Sequence, residues 1–304
     1  MRRRSPASLA LLLAVAAVFL APAAAHARVV VGVGDQKPAM FWDKRFHSLG
    51  MTDARRVVAW DALEFGWQRH EVDAWMNAAE VNGVKPLISS GRSRLDSRRK
   101  LLPTPARFRR AFLAFRHRYP WVRVYSPWNE ANHCSQPTCH NPWRAAQYYN
   151  VVRMACPNCT IIAADVLDQK GMVAWLREFR RHTIDSPRVW GLHNYLDVNR
   201  FRSSGTRAML AAVPGRIWFT EVGGLVRRTN GSRLRFPESA SHAAAATKWL
   251  FRLTLISPRI TRVYVYNWNA RRGEPWDSAL IGPTGRPRPA YEVLERELVR
   301  HALR

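Results

Sequence analysis

Two glutamates end apolar, strand-like runs of the sequence. Glu130 lies in the run 122–131 and Glu221 in the run 215–224, and both runs are rich in β-branched and aromatic residues. Such runs are typical of buried parallel strands, which deliver a polar side chain to a cleft at their carboxyl end. Two facing carboxyl groups can divide the work of bond cleavage, because one protonates a leaving oxygen while the other attacks a carbon.

Strand-like and helix-like runs alternate along the whole chain and predict what positions these glutamates. Buried β-type runs predict eight strands, and amphipathic runs predict helices between them, which is the pattern of a parallel sheet. The predicted strands are 28–36, 53–61, 84–92, 122–130, 159–168, 189–197, 215–223 and 260–269. The predicted helices are 66–82, 105–119, 141–155, 171–182, 206–213, 238–255 and 289–303.

The length and the eight strands predict an α/β fold of the (β/α)8 TIM-barrel type, as a single domain over residues 28–304. The chain has 304 residues, and without an N-terminal leader of residues 1–27 its length is only slightly above the roughly 250 residues typical of such a barrel. An open doubly wound sheet is the alternative. It is disfavoured because Gly32-Val33-Gly34 is only a fragment of the glycine-rich phosphate-binding motif expected after its first strand.

In a barrel the carboxyl ends of all strands meet at one mouth, where function is expected. The polar or aromatic residues that end the predicted strands are Asp35, Asp61, Arg92, Asn129, Glu130, Asp165, His193, Tyr195, Glu221 and Trp268. Strands four and seven lie across the barrel from each other, so Glu130 and Glu221 can converge. Two carboxyl groups about 5 Å apart are the arrangement of a retaining glycosidase.

Several motifs resemble glycoside hydrolase clan A, the superfamily with catalytic glutamates on strands four and seven, and the match runs along essentially the whole chain after the leader. The matching motifs are Trp128-Asn129-Glu130, Phe219-Thr220-Glu221, His193-Asn194-Tyr195, Trp268 and the segment 276–291. The resemblance implies a hydrolase that acts on oligosaccharides or polysaccharides without a metal or organic cofactor.

The resemblance also implies a role for each matching residue. Glu130 would be the general acid/base and Glu221 the nucleophile. Asn129 would bond the sugar 2-hydroxyl, and Tyr195 would orient Glu221. Trp268 would form the floor of the sugar subsite.

Four further expectations concern side chains around the glutamates. His193 is expected to bind substrate together with Tyr195, with a buried core histidine as the alternative. Trp42, which follows the first strand, is expected to stack on a sugar face. Many clan members hold the nucleophile with an arginine at the end of strand two, but residues 57–61 contain none, so Arg92 on strand three is expected to substitute. An apolar setting beside Trp128 is expected to raise the pKa of Glu130.

A non-catalytic glycan-binding barrel, attached to an anionic cell surface, is the alternative function. The missing strand-two arginine favours it, whereas the two glutamates favour catalysis. The sequence carries 48 Lys and Arg against 22 Asp and Glu, a formal charge of +26, which attracts polyanions such as acidic cell-wall polymers. The arginines are scattered and no nucleic-acid-binding motif accompanies them, so nucleic acid is not expected as a partner. We expect a monomer.

The N-terminal residues 1–27 have the three regions of a secretory signal peptide. Three arginines precede an apolar run over 9–20, and Ala25-His26-Ala27 is a small-x-small cleavage site. The alternative, an uncleaved anchor, is disfavoured because the run is shorter than the roughly 20 residues that span a bilayer. A secreted protein, free or associated with the cell surface, is therefore expected.

Four cysteines follow this segment, in a CxxxxC pair and a CxxC pair. A helix over 141–155 separates the pairs by roughly 20 Å at 1.5 Å per residue, too far for one metal ion or a crossed disulfide. Cysteine pairs of exported proteins form disulfides in the oxidising compartments that these proteins enter. Local disulfides Cys134–Cys139 and Cys156–Cys159 are therefore expected.

Overall fold

Eight parallel strand positions curl into one barrel. The computed structural model describes residues 29–229 and 235–302. The strands are β1 (Val30–Gly34), β2 (Asp53–Ala59), β3 (Lys85–Gly91), β4 (Val124–Ser126), β5 in two segments (Thr160–Ile161 and Asp165–Leu167), β6 (Val189–His193), β7 (Arg216–Val222) and β8 (Ile260–Tyr266). Their hydrogen-bonded order is β5-β4-β3-β2-β1-β8-β7-β6-β5, so the two segments of β5 form the two edges of the sheet.

The chain between the two segments of β5 closes the barrel. Ile162 N donates to Tyr125 O of β4 at 2.8 Å, and Ala163 N donates to Val189 O of β6 at 2.9 Å. Consecutive residues therefore bond to strands on both sides, and no open edge of the sheet remains at this point. The predicted (β/α)8 barrel is confirmed.

Helices cover the outside of the barrel. They are α1 (Lys44–Ser48), α2 (Gly66–Val81), α3 (Pro105–Arg118), α4 (Pro142–Ala155), α5 (Met172–Arg181), α6 (Tyr195–Asn199), α7 (Ser204–Ala212), α8 (Ala240–Thr254) and α9 (Pro289–Ala302). Short 3-10 helices occupy Pro38–Trp42, Ala62–Glu64 and Asp96–Arg98. Amphipathic packing explains the helix positions: the predicted stripe of α2, formed by Val72, Trp75, Met76 and Ala79, is buried against the barrel.

Strands four and six are shorter than predicted. β4 stops at Ser126 because Pro127 has no N–H to continue the ladder. Strand six was predicted to reach residue 197, but β6 ends at His193 and α6 begins two residues later. The Asp168 carboxylate accepts the backbone N–H groups of Leu196 and Asp197, at 3.0 and 2.7 Å, and this fixes the first turn of α6.

The structure pairs the cysteines as predicted. Cys134 is bonded to Cys139, and Cys156 to Cys159, with α4 between the two disulfides.

The predicted leader, residues 1–27, lies outside the described residues, as do Arg28, residues 230–234 of the predicted mouth loop 226–237, and Leu303 of the last predicted helix. Within the described ranges, no helix combines the length and the apolar character needed to cross a bilayer.

A close approach of backbones fixes Gly32 in β1. A Cβ at this position would lie 2.5 Å from the Asp53 carbonyl oxygen of β2, so a side chain requires the two strands to shift. We expect Gly32→Ala to lower the free energy of unfolding by about 1–3 kcal/mol, the usual cost of overpacking. Urea unfolding followed by circular dichroism measures this.

Gly66→Ala is the matched control for this substitution. A Cβ on Gly66, at the start of α2, meets nothing closer than Arg69 Nη2 at 3.9 Å. We expect this variant to unfold within about 0.5 kcal/mol of the wild type. Equal unfolding midpoints for both variants would contradict the contact described for Gly32.

Candidate active site

The two predicted glutamates meet at the carboxyl end of the barrel. Glu130 follows β4 and Glu221 is the penultimate residue of β7. One carboxylate oxygen from each, together with a ring nitrogen of His193, lie within 4.8 Å of one another. Retaining glycosidases hold their carboxyl groups about 5–5.5 Å apart, and inverting ones about 6.5–9.5 Å. The nearest oxygens of Glu130 and Glu221, within 4.8 Å, are closer together than the carboxyl groups of the inverting arrangement.

The backbone around Glu130 is held in an unusual conformation. Its φ of 47° lies in the left-handed region, which non-glycine residues seldom adopt. The adjacent peptides are tied on both sides: Asn129 N donates to Ser90 O at 2.6 Å, and Ala131 N donates to Asp165 O at 2.8 Å. Such strain persists only where the surroundings over-determine it, and it often marks functional sites.

A buried arginine on β2 holds the second glutamate. Arg55 is 1% exposed, and its Nη1 donates to Glu221 Oε2 at 2.6 Å. Its Nη2 donates to Asn129 Oδ1 at 2.5 Å and to Asp165 Oδ2 at 3.1 Å. One guanidinium therefore links the residue beside Glu130 to Glu221 and to a carboxylate at the floor of the site.

Arg55 corrects the prediction that strand two offers no arginine to hold Glu221. That prediction was drawn from residues 57–61, the end of the predicted strand. Arg55 lies two residues before this segment, and its long side chain extends from inside the barrel to the mouth. Period-two alternation places Arg55 on the same face as Val57 and Ala59, and this signal could have identified it. Arg92 does not substitute: its Nη1 donates to the carbonyl oxygen of Ser135.

Asp165 is the buried counter-charge of Arg55. It is fully buried and accepts hydrogen bonds from Ser89 Oγ and Thr220 Oγ1, both at 2.7 Å. Burial raises the pKa of Asp165, but the charge of Arg55, together with His193 and the two hydroxyl groups, lowers it below the usual value overall. Burial likewise opposes the charge of Arg55, whereas Asp165 and Glu221 raise its pKa overall.

Tyr195 and His193 surround the two glutamates. Tyr195 OH donates to Glu221 Oε1 at 3.1 Å, from the first turn of α6 and not from a strand as predicted. Burial, reinforced by the charge of Glu221, raises the pKa of Tyr195 well above its usual value, so the hydroxyl keeps its proton. His193 is fully buried, with Nδ1 at 3.5 Å from Glu130 Oε1.

The surroundings of Glu130 differ from the prediction. Trp128 is buried away from the site, where it stacks on Tyr148 and donates to Gln136 Oε1 at 3.2 Å. Burial raises the pKa of Glu130, but the interaction with His193, helped by His133 and Arg55, lowers it overall. The expected rise in the pKa of Glu130 is therefore wrong, because a polar neighbour replaces the expected apolar one.

The aromatic lining also differs from the prediction. Trp268 is 0% exposed, packs edge-to-face against Phe46 and Tyr291, and donates through Nε1 to Asp43 Oδ2 at 3.0 Å. It therefore lies in the core and cannot form the floor of a sugar subsite. Trp42 is 63% exposed at the end of a 3-10 helix and does not line the cavity at the glutamates.

A cavity of about 320 Å³ lies over the two glutamates. Tyr266, the last residue of β8, and Trp276 supply its aromatic surface, and Trp276 packs edge-to-face on Tyr195. Tyr266 was not among the predicted site residues, because strand eight was expected to run to residue 269. The described residues that line the cavity are Glu130, His133, Leu167, Asp168, Gln169, Tyr195, Leu196, Glu221, Arg228, Phe236, Tyr266 and Trp276.

The fold, a (β/α)8 barrel, is shared with several solved glycoside hydrolases. It is similar to GH5_18 from Streptomyces cattleya, solved in complex with GlcNAc, at 16% identity and a TM-score of 0.65 over 91% of this chain and 81% of that one. It is also similar to xylanase 10B from Thermotoga maritima, at 12% identity and a TM-score of 0.60 over 90% of this chain and 97% of that one.

A family 39 glycoside hydrolase from Bacteroides cellulosilyticus has the same fold, at 16% identity and a TM-score of 0.57 over 89% of this chain. This chain spans 63% of the length of that protein. No family model and no curated protein sequence matches the chain.

Removal of the Arg55 charge tests its contribution to the site. We expect Arg55→Met to lower the free energy of unfolding at pH 7 by about 3–5 kcal/mol, because Asp165 is left as an unpaired buried charge. In the wild type the pKa of Asp165 is lowered, which stabilises the folded state at pH values above the usual pKa of aspartate. This stabilisation is lost as the pH falls toward the lowered pKa. In the variant the pKa of Asp165 rises, so protonation relieves the penalty.

The difference in unfolding free energy between wild type and Arg55→Met is therefore expected to narrow from pH 7 to about pH 4, near the usual pKa of aspartate. Urea unfolding at both pH values measures it. The double variant Arg55→Met/Asp165→Asn, which lacks both charges, is expected to recover part of the stability at pH 7. A difference that does not change with pH would contradict the pairing of Arg55 with Asp165.

Proposed function

We propose that this protein is a retaining O-glycoside hydrolase in which Glu221 is the nucleophile and Glu130 the general acid/base. The observation that carries the proposal is the placement of one carboxylate oxygen from each glutamate within 4.8 Å. The oriented contacts of Glu221 with Arg55 and Tyr195, at 2.6 and 3.1 Å, support its role as the nucleophile.

In the first step Glu221 attacks the anomeric carbon and a glycosyl ester forms. The bond to the leaving oxygen breaks, and Glu130 donates its proton to that oxygen. Arg55 and Tyr195 fix the attacking carboxylate by donating to different oxygens, which leaves little rotational freedom to lose in the transition state. Asn129 accepts from Arg55 through Oδ1, so its amide nitrogen is oriented to donate to the sugar 2-hydroxyl.

In the second step Glu130 takes a proton from water, which attacks the anomeric carbon and releases Glu221. A sugar hydroxyl in place of water gives transglycosylation. Two inversions retain the anomeric configuration. Every proton and electron pair moves among the substrate, water and the two glutamates, so the cycle calls for no cofactor.

The opposing influences on Glu130 suit its two roles. The Glu130 side chain is 22% exposed, so water still reaches it in the free protein. A bound sugar removes this water and increases the burial of the carboxyl group, which raises its pKa. A raised pKa favours the acid needed first. The interaction with His193 lowers the pKa and favours the base needed second.

We also propose that the protein is secreted after cleavage following Ala27, acts on an oligo- or polysaccharide, and works as a monomer. The two disulfides support export, since such bonds persist in oxidising compartments. The non-catalytic glycan-binding barrel becomes the weaker candidate, because Arg55 supplies the strand-two arginine whose absence favoured it.

Substitution of the two glutamates tests the proposal. On a panel of aryl glycosides, we expect Glu221→Gln to lower kcat by at least about 10³-fold for every substrate that the wild type cleaves. We expect Glu130→Gln to lower kcat by about 10²–10⁴-fold on poor leaving groups but much less on activated ones, which need no proton. Release of the aryl alcohol, followed by absorbance, measures both effects.

Glu178→Gln on the outer face of α5 is the matched control, since the partners of Glu178 in the described part of the chain are Arg181 and His182, both on the surface. It should retain wild-type activity. A wild type that binds glycans but cleaves none of the panel would support the glycan-binding alternative. Equal losses for Glu130→Gln on good and poor leaving groups would refute the acid role.

A further inference from the structure

A second, strongly basic cavity lies beside the cleft. Its volume is about 650 Å³, and it is walled by the carboxyl ends of β1, β2 and β3 and by α2. Its lining includes five lysine or arginine side chains and one carboxylate: Lys37, Arg56, Arg92, Arg94, Arg271 and Glu71. The proposed mechanism uses none of them.

The positive charge of this basic cavity is only partly balanced. Glu71 pairs with Arg94, and Lys37 Nζ lies 3.3 Å from Glu274 and 3.6 Å from Asp35. Among the residues that the structure describes, the other three arginines have no ion-pair partner. They are Arg56, Arg92 and Arg271.

The buried arginine of this cavity is held in an unfavourable environment for its charge. Burial lowers the pKa of Arg56 to about 10; Glu71 opposes this effect and the neighbouring Arg94 adds to it. The Arg56 Nη1 donates to the backbone oxygen of Glu71 at 2.9 Å. An anion in the cavity would therefore relieve repulsion that the protein itself leaves in place.

Buried polar atoms in the wall point to a polar ligand. Gln68 is 1% exposed and lines the basic cavity, and neither its amide oxygen nor its amide nitrogen has a hydrogen-bond partner in the described part of the chain. The Nε of Arg56 is likewise buried without such a partner there. Unpaired buried polar groups are costly, so they are kept where another molecule supplies the bond.

Only a short loop separates the basic cavity from the catalytic cleft. His133 lines the cleft and Gln136 lines the basic cavity, and the residues between them are held by Arg92, which donates to Ser135 O. The charge of Glu130 acts on the pKa of Arg92, which burial and Arg99 lower overall. The two cavities therefore have lining residues only three positions apart in the chain, a span of at most about 11 Å.

We infer that the basic cavity binds an oxyanion on the glycan, a carboxylate or a sulfate, so that the substrate class is an acidic oligosaccharide or polysaccharide. The inference rests on the proposed function and adds the substrate class to it. Guanidinium groups match the two oxygens of a carboxylate or sulfate with paired N–H donors. The overall charge of +26 adds a long-range attraction for such a polymer.

Binding measured without turnover tests the inference. Titration calorimetry on the full chain carrying Glu221→Gln would compare a uronic-acid oligosaccharide with free carboxyl groups, its methyl ester, a sulfated oligosaccharide and a neutral one. We expect the free acid to bind at least roughly tenfold more tightly than its ester, which has the same sugars without the charge. The preference for the free acid over its ester should weaken as the salt concentration rises from about 0.01 to 0.15 M, because salt screens the charges.

Arginine variants locate the binding. Arg92→Gln and Arg271→Gln, each in the Glu221→Gln background, should reduce the preference for the acid over the ester by roughly twofold to fivefold. Arg92→Gln also removes the hydrogen bond to the loop at Ser135, so a loss of preference in that variant alone could come from the loop. Arg271→Gln tests the arginine charge without that change. Arg177→Gln, on the exposed face of α5, is the control and should leave the preference unchanged.

The outcomes separate the two proposals. Equal binding of acid, ester and sulfated ligand, or an equal loss in Arg177→Gln, would overturn the anion site even if neutral glycans are cleaved. Preferred binding of the acid by an intact chain that cleaves nothing would support the anion site and refute the hydrolase. Tighter binding of the sulfated ligand than of the carboxylated one identifies sulfate as the source of the oxyanion.

Discussion

The site depends on one buried charge, the guanidinium of Arg55. It is 1% exposed, and its cost of burial is offset by Asp165 and Glu221, each within 3.1 Å. Because a guanidinium is planar and donates in fixed directions, it sets the relative positions of the two carboxylates and of Asn129. The Glu221 carboxylate is thus oriented by an interaction formed when the barrel folds and not when a substrate arrives.

The barrel makes this arrangement possible because several strands contribute groups to the same small volume. Ser89 of β3 and Thr220 of β7 donate to Asp165, and His193 at the end of β6 lies between Asp165 and Glu130. These groups are far apart in sequence, and strand register brings them together. Closure of the sheet through residues 162–164 is therefore a condition for the site as well as for the fold.

The sequence predicted the barrel, the disulfide pairs and the convergence of Glu130 and Glu221, since these follow from strand alternation, local cysteine spacing and strand order. It failed where a side chain acts away from its strand end. Arg55 extends from mid-strand to the mouth, and Trp268 turns into the core although it follows β8. Strand alternation predicts on which face of the sheet a side chain lies, but not how far or in which direction the side chain extends. Contacts of this kind could therefore be identified only from the structure.

The most direct test of the account is to trap the covalent intermediate on Glu221. The protein would be incubated with a panel of 2-deoxy-2-fluoro glycosides bearing activated leaving groups, digested, and sequenced by mass spectrometry. The account predicts one added glycosyl group on the peptide that contains Glu221, and none in the Glu221→Gln variant. Labelling of a different carboxylate, or cleavage of a substrate with inversion of the anomeric centre and no labelled peptide, would contradict it.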